Sequence, residues 1–256
     1  MKYYRQNLLF SVSIMAASVI LGASLIFAAK IVADSVNGKN SGAAADKMVD
    51  QLVKTINEQN LDRPKPAKRN AEHTGSKIID GVTAGSNPIK GKANAPVLMV
   101  EFSDFQCPYS QNFYRQTFPL IEAEYIATGK VKFAYRDFPL DFHASAKSAA
   151  IAARCAGRQG KYWQMFDKLI LTNSLDEAGL RKCAKESGLN LSAYENLRNK
   201  AEIGREVEND IKDAERFGVR GTPAFFINGR FVSGARPFIE FKKIIDEELD
   251  KAEQGK

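Results

Sequence analysis

The first pattern along the chain is unbroken. Leu8 to Ala29 is a nearly uncharged apolar run of about 22 residues, long enough to cross a bilayer as a helix. Lys2 and Arg5 precede it, and Lys30 and Lys39 follow, flanks that set orientation only weakly. A secretory signal usually has a shorter apolar core, although Ile31-Val32-Ala33 is a tolerable cleavage site. Residues 1–36 are therefore read as an N-terminal membrane anchor, or a signal sequence. The pattern then turns periodic. Met48, Val49, Leu52, Val53 and Ile56 recur at helical spacing within Ala43–Gln59, which predicts an amphipathic stalk with one face for association between copies. Residues 60–77, with two prolines and many charges, read as a flexible spacer and complete a linker over 37–77.

From Ile78 onward the pattern is that of a folded domain. Residues 78–96 are rich in Gly, Asn and Pro and predict a short strand and turns. Val97 to Phe102 is a short apolar run of the kind buried in a sheet covered on both faces. Ser103 to Gln106 make a turn, and Pro108 stands where a helix begins, since its missing N–H costs nothing there. That helix buries Phe113, Phe118, Ile121 and Tyr125, with a kink expected at Pro119. Val131, Phe133 and Tyr135 alternate with Lys132, Ala134 and Arg136, a second strand. A helix between neighbouring strands makes them parallel, with a right-handed crossover. Ala144 to about Phe217 carries no strand signal and reads as several helices punctuated by Gly157, Gly160, Asn173 and Gly188. Asn228-Gly229 between Ala224–Ile227 and Arg230–Val232 is a strong two-residue hairpin signal. Pro237 then opens a helix with Phe238, Phe241, Ile245 and Leu249 on one face. The order is β-α-β, helical insert, β-β-α, an α/β class.

The candidate chemistry sits at the joint between the first strand and the first helix. Cys107 falls at or next to the helix N-cap, among free backbone N–H groups and the positive end of the dipole, a position that favours a nucleophilic thiolate. At these residues, Glu101-Phe-Ser-Asp-Phe-Gln-Cys-Pro-Tyr109, the sequence resembles the active-site entry of DsbA-like thiol-disulfide oxidoreductases of the thioredoxin superfamily. A second match, Gly218-Val-Arg-Gly-Thr-Pro-Ala-Phe-Phe-Ile-Asn-Gly-Arg230, is similar to that family's segment around a cis-proline facing the reactive cysteine. Gln159-Gly-Lys-Tyr-Trp163 looks like a further family element, with Trp163 a core residue. The resemblance implies a thioredoxin-like fold over 78–256 with an all-helical insertion at about 142–217. It also implies roles. Pro108 and Tyr109 shape the site, Thr222 and Pro223 present backbone to an extended peptide, and Glu101 is a buried acid exchanging protons with the leaving thiol. Asp104 reads as a turn-capping residue. The family motif is Cys-Pro-x-Cys, and the chain departs from it at Ser110. A serine donates a hydrogen bond but cannot close a disulfide.

Composition adds three constraints. The net charge of +7 would fit nucleic acid, but the basic residues form no patch interleaved with aromatics, and the cluster Arg63–Arg69 looks like linker; no nucleic-acid partner is expected. With two histidines and no Cys-x-x-Cys, neither a metal nor another cofactor is expected. Three cysteines in an oxidising compartment read as one structural pair, Cys155 with Cys183, and one free thiol, Cys107; in the cytosol all three would stay reduced. Together these features predict a monothiol oxidoreductase anchored through residues 8–29 in a bacterial cytoplasmic membrane, with its domain on the periplasmic or extracellular side. Its expected partners are cysteine-containing protein substrates and an external thiol or redox protein. The competing expectation is a redox-inactive thioredoxin-fold chaperone or assembly scaffold that binds extended polypeptides.

Overall fold

The computed structural model describes residues 78–255; the expected membrane span, the stalk with its associating face and the spacer lie outside that range. Among the described residues no helix is long and apolar enough to cross a membrane. The sheet has four strands in the order β2-β1-β3-β4: β1 (Val97–Ser103), β2 (Val131–Asp137), β3 (Ala224–Ile227) and β4 (Arg230–Ser233). β1 runs parallel to β2 from Val97↔Val131 to Ser103↔Asp137, as a helical connection demands. It runs antiparallel to β3, which pairs antiparallel with β4. Asn228 and Gly229 turn that hairpin with φ of 45° and 83°, the left-handed pair that matches strand twist. Glycine is required at the second position, because a Cβ there would sit 2.7 Å from the Ile79 carbonyl oxygen.

The β1–β2 connection consists of α1 (Pro108–Gln116) and α2 (Phe118–Ile121), which runs into a wider π turn at Glu122–Ile126. The expected kink is a break at Thr117, where φ is −106°. It lets Pro119 occupy the first turn of α2, where no N–H is needed. After β2 comes the all-helical insertion: α3 (Ala146–Gly157), α4 (Tyr162–Leu171), α5 (Glu177–Glu186), α6 (Leu191–Arg198) and α7 (Ala201–Arg216). α8 (Phe238–Glu253) closes the fold. The strand expected within 78–96 does not form. Ile78 and Lys90 make isolated bridges to Arg230 and Phe133, because positive φ at Gly81, Gly85 and Gly91 turns the backbone away before a ladder can extend.

Alternation along β3 divides the core between the two faces of the sheet. Phe225 packs on Phe113 of α1 and Phe241 of α8, with ring centroids 4.6 and 4.9 Å away. Phe226 points the other way, into a cluster with Val100, Phe102, Ala134, Phe217 and Val219. Burying each phenylalanine is worth about 1.5–3 kcal/mol.

Charge ties the insertion to the sheet. Arg136 of β2 donates from Nε to Asp210 Oδ1 of α7 at 2.8 Å, and Arg154 of α3 donates from Nε to Asp137 Oδ2 of β2 at 2.6 Å. Arg154 also pairs with Asp210, and all four side chains are buried. Buried charges persist only when paired and hydrogen-bonded in this way. Gly85 leaves the space for Arg136. With φ of 68°, an added Cβ would lie 2.7 Å from the guanidinium Nε. Gly85→Ala is therefore expected to lower stability by about 1–3 kcal/mol, read as a shifted denaturant midpoint with unchanged slope.

Cys155 and Cys183, the expected pair, are both free, buried thiols. Cys155 on α3 is faced by Arg198, Arg158 and Glu206, and Cys183 on α5 by Glu186, Lys168 and Lys182. Burial pushes the Cys155 thiol up to about 11 and raises Cys183 as well. Both are held as inert thiols.

Candidate active site

Cys107 is the N-cap residue of α1, in extended conformation, and Pro108 takes the first helical position. The sequence dictates this arrangement. β1 ends at Ser103, the Asp104 carbonyl accepts from the Cys107 N–H, and Pro108 cannot continue a strand. Asp104 shapes the turn, its Oδ1 accepting from the Gln106 N–H at 2.7 Å. The Cys107 thiol, 3 % exposed, donates to the Thr222 carbonyl oxygen at 3.4 Å. Thr222-Pro223 is a cis peptide. Two segments 115 residues apart thus meet at one sulfur, as the two sequence motifs require. Tyr109 is 69 % exposed and stands on the surface beside the nucleophile.

Ser110 and Glu101 lie behind that surface, and both are fully buried. Ser110 occupies the third position of α1, one turn on from Cys107, and its Oγ is 2.7 Å from Ser103 Oγ of β1. Glu101 Oε2 accepts from the Tyr114 hydroxyl of α1 at 2.7 Å. Residues 101 and 103 share one face of β1 and residues 110 and 114 one face of α1, so strand and helix are joined by two polar rungs in an aromatic core. Burial pushes the Glu101 carboxyl up to about 8, against the lowering effect of the Tyr114 and Ser103 hydroxyls. Glu101 is thus a mostly neutral acid at pH 7. Tyr114→Phe removes the stronger of those donors. It is expected to cost about 1–2 kcal/mol and to push the Glu101 titration further up, as followed by the carboxyl infrared band against pH.

Three side-chain contacts here had no signal in the sequence. Asp104 Oδ2 accepts from His143 Nδ1 at 2.7 Å and from the Leu140 N–H at 2.9 Å, and Gln106 Oε1 accepts from the Ser145 N–H at 2.8 Å. They clamp the turn before Cys107 to the loop that leads into the insertion. That loop exposes Phe142, whose ring centroid lies 4.5 Å from that of His143. Cys155 and Cys183 take no part in the site. A buried acid, a turn-held thiol at a helix N-terminus and a facing backbone carbonyl form the equipment of thiol–disulfide exchange, without a second thiol on α1.

Comparison with known proteins agrees. A family model described as thioredoxin matches residues 83–247. The chain is 31% identical over 172 residues to the probable disulfide bond formation protein D of Bacillus cereus, covering 63% of this chain and 78% of that one. It is 36% identical over 145 residues to a Na(+)/H(+) antiporter of Salinispora tropica, covering 56% of this chain and 22% of the antiporter; the chain therefore spans about a fifth of that relative's length. Among solved structures, oxidised BdbD of Bacillus subtilis superposes with a TM-score of 0.58 at 26% identity, over 64% of this chain and 93% of that one. Alpha-DsbA1 of Wolbachia pipientis gives 0.58 at 28% identity, over 65% and 92%. The fold, the cis-proline facing Cys107 and these likenesses agree, and the chain belongs to the thioredoxin family, among its DsbA-like thiol-disulfide oxidoreductases.

Proposed function

We propose that this chain is a monothiol thiol-disulfide oxidoreductase that attacks protein disulfides or mixed disulfides through Cys107. The observation that carries the reading is the pairing of the Cys107 thiol with the Thr222 carbonyl at 3.4 Å, while the position one helical turn on holds Ser110. Attack by the Cys107 thiolate breaks the substrate S–S bond, forms a mixed disulfide and releases one substrate thiolate, which takes a proton from Glu101. An outside thiol then breaks the mixed disulfide, leaves bonded to the substrate sulfur, and gives its proton back to Glu101. The substrate disulfide is reduced or exchanged at the expense of that outside thiol, and Cys107 is regenerated. In this account Tyr109 borders the substrate groove and the Thr222-Pro223 backbone receives an extended peptide. The apolar run over residues 8–29 supports a membrane anchor with the domain on the outer side of a bacterial cytoplasmic membrane.

The test is exchange on a scrambled disulfide protein in the presence of a small thiol such as glutathione. The parent chain accelerates native pairing, and Cys107→Ala abolishes the acceleration, while Cys155→Ala and Cys183→Ala leave it unchanged. Equal rates for the parent and Cys107→Ala would make the chain a binder of polypeptides and not an enzyme.

A further inference from the structure

The Glu101 carboxyl and the reactive turn are separated by two hydroxyls that the thiol chemistry does not itself require. We infer that Ser103 is a positioning residue, whose hydroxyl passes the protonation state of Glu101 to Ser110 and so decides whether Ser110 donates toward Cys107. The observations are geometric. Ser103 Oγ and Ser110 Oγ are 2.7 Å apart, both fully buried. Ser103 follows Glu101 by two residues on the same face of β1, and its hydroxyl favours the Glu101 carboxylate. Glu101 Oε1 is buried and makes no hydrogen bond of its own. Tyr114 is spent on Oε2, so the Oε1 end is the one left to engage Ser103.

A hydroxyl has one hydrogen to give, so the chain of donors has only two directions. When Glu101 is neutral, its proton goes to Ser103, Ser103 donates to Ser110, and the Ser110 hydrogen is left for the sulfur one helical turn back. When Glu101 is a carboxylate, Ser103 donates to it, Ser110 donates to Ser103, and none is left for Cys107. Hydrogen bonds in such a chain polarise one another, so the reversal is cooperative. The titratable groups facing Glu101 are Tyr114 from α1, Tyr135 from β2 and Tyr162 from α4. Burial raises all three well above the ordinary tyrosine value, so they remain neutral while Glu101 titrates. Asp137, beyond Tyr135, stays paired with Arg154. With Glu101 titrating at about 8, the reversal falls in a range where the domain can be assayed.

This inference rests on the reading of Cys107 as the nucleophile, yet its test needs no protein disulfide. The rate of Cys107 alkylation by iodoacetamide is followed from pH 5 to pH 10 on the full chain, by peptide mass. The parent should give a two-step profile whose upper step, near pH 8, is lost in Glu101→Gln. Ser103→Thr should keep the upper step. Ser103→Val, of the same shape without the hydroxyl, should lose it, and Ser103→Ala serves as a smaller second variant. If both Ser103→Val and Ser103→Ala keep the upper step, or the parent has none, Ser103 transmits nothing and the inference falls. Failure of the exchange assay with the Ser103 effect intact would remove the proposed function and leave the positioning role standing.

Discussion

Ser110→Cys is expected to turn the proposed monothiol exchanger, which without an outside thiol would stop as a covalent adduct, into a dithiol oxidoreductase that turns over. The backbone for a Cys-Pro-Tyr-Cys bridge already exists, with Cys107 at the N-cap, Pro108 at the first helical position and residue 110 one turn on. Residues three apart lie on one face of a helix, and Cα separations of about 4.4–6.8 Å are those a disulfide spans. The substitution replaces a buried hydroxyl by a slightly larger sulfur and leaves Ser103 a weaker partner, a small cost beside the gain. With two thiols, a mixed disulfide at Cys107 is resolved within the molecule, a unimolecular step in place of a bimolecular one. In an assay where oxidised glutathione regenerates the pair and a reduced protein is the substrate, at least about tenfold more turnovers than the parent are expected at low micromolar thiol. If Ser110→Cys forms the bridge, seen as a loss of two hydrogen masses, yet gains no turnover, the groove is not built for exchange.

Glu101→Gln is expected to stabilise the domain, and increasingly so as the pH rises. The folded-state carboxyl titrates at about 8, against 4.5 for an ordinary glutamate. The folded state therefore binds this proton more tightly than the unfolded chain does. A raised pKa contributes stability that is fully present below the unfolded value and lost as pH rises through the folded one. Between pH 4.5 and 8 the parent thus loses on the order of 4 kcal/mol, at about 1.4 kcal/mol per pH unit. Glutamine does not titrate, its carbonyl can still accept from Tyr114, and its amide replaces the unpartnered Oε1. The variant should match the parent near pH 4 and exceed it by on the order of 4 kcal/mol at pH 8. At about 2–4 °C per kcal/mol for a domain of this size, thermal melts at the two pH values resolve that difference. A gain that did not grow with pH would mean that Glu101 is not the buried, neutral acid described. The same burial links stability to the proposed function, since a carboxyl still protonated near neutral pH has a proton to exchange.

The parts of the fold that were legible in the sequence are those whose cause is local. Asn228-Gly229 specifies a left-handed pair wherever it occurs between strands, and it turns the β3–β4 hairpin. Pro108 forces a helix start and so places Cys107 at an N-cap. Alternation at Val131, Phe133 and Tyr135 gives β2 its register against β1. Apart from the meeting of Cys107 with Thr222, which the family resemblance implied, contacts between distant segments left no such mark. Asp104 and His143 are 39 residues apart, and Arg136 and Asp210 are 74 apart; only packing of the insertion on the sheet brings them together. The Ser103–Ser110 rung was hidden for another reason, because a serine on a strand and one on a helix each have many bland partners. The Cys155–Cys183 pairing came from counting cysteines, and a count does not say which sulfurs meet; both thiols are free here.

The central claim is that Cys107 attacks disulfides and, for want of a thiol at position 110, holds what it attacks. Intact-mass analysis tests it most directly: the reduced full chain is mixed with a protein containing one accessible disulfide, without any outside thiol, and quenched with acid. The account predicts a one-to-one covalent adduct through Cys107 that builds up without turnover, dissolves when glutathione is added, and is absent from Cys107→Ala. No adduct in the parent, or an adduct carried by Cys155 or Cys183, would contradict it.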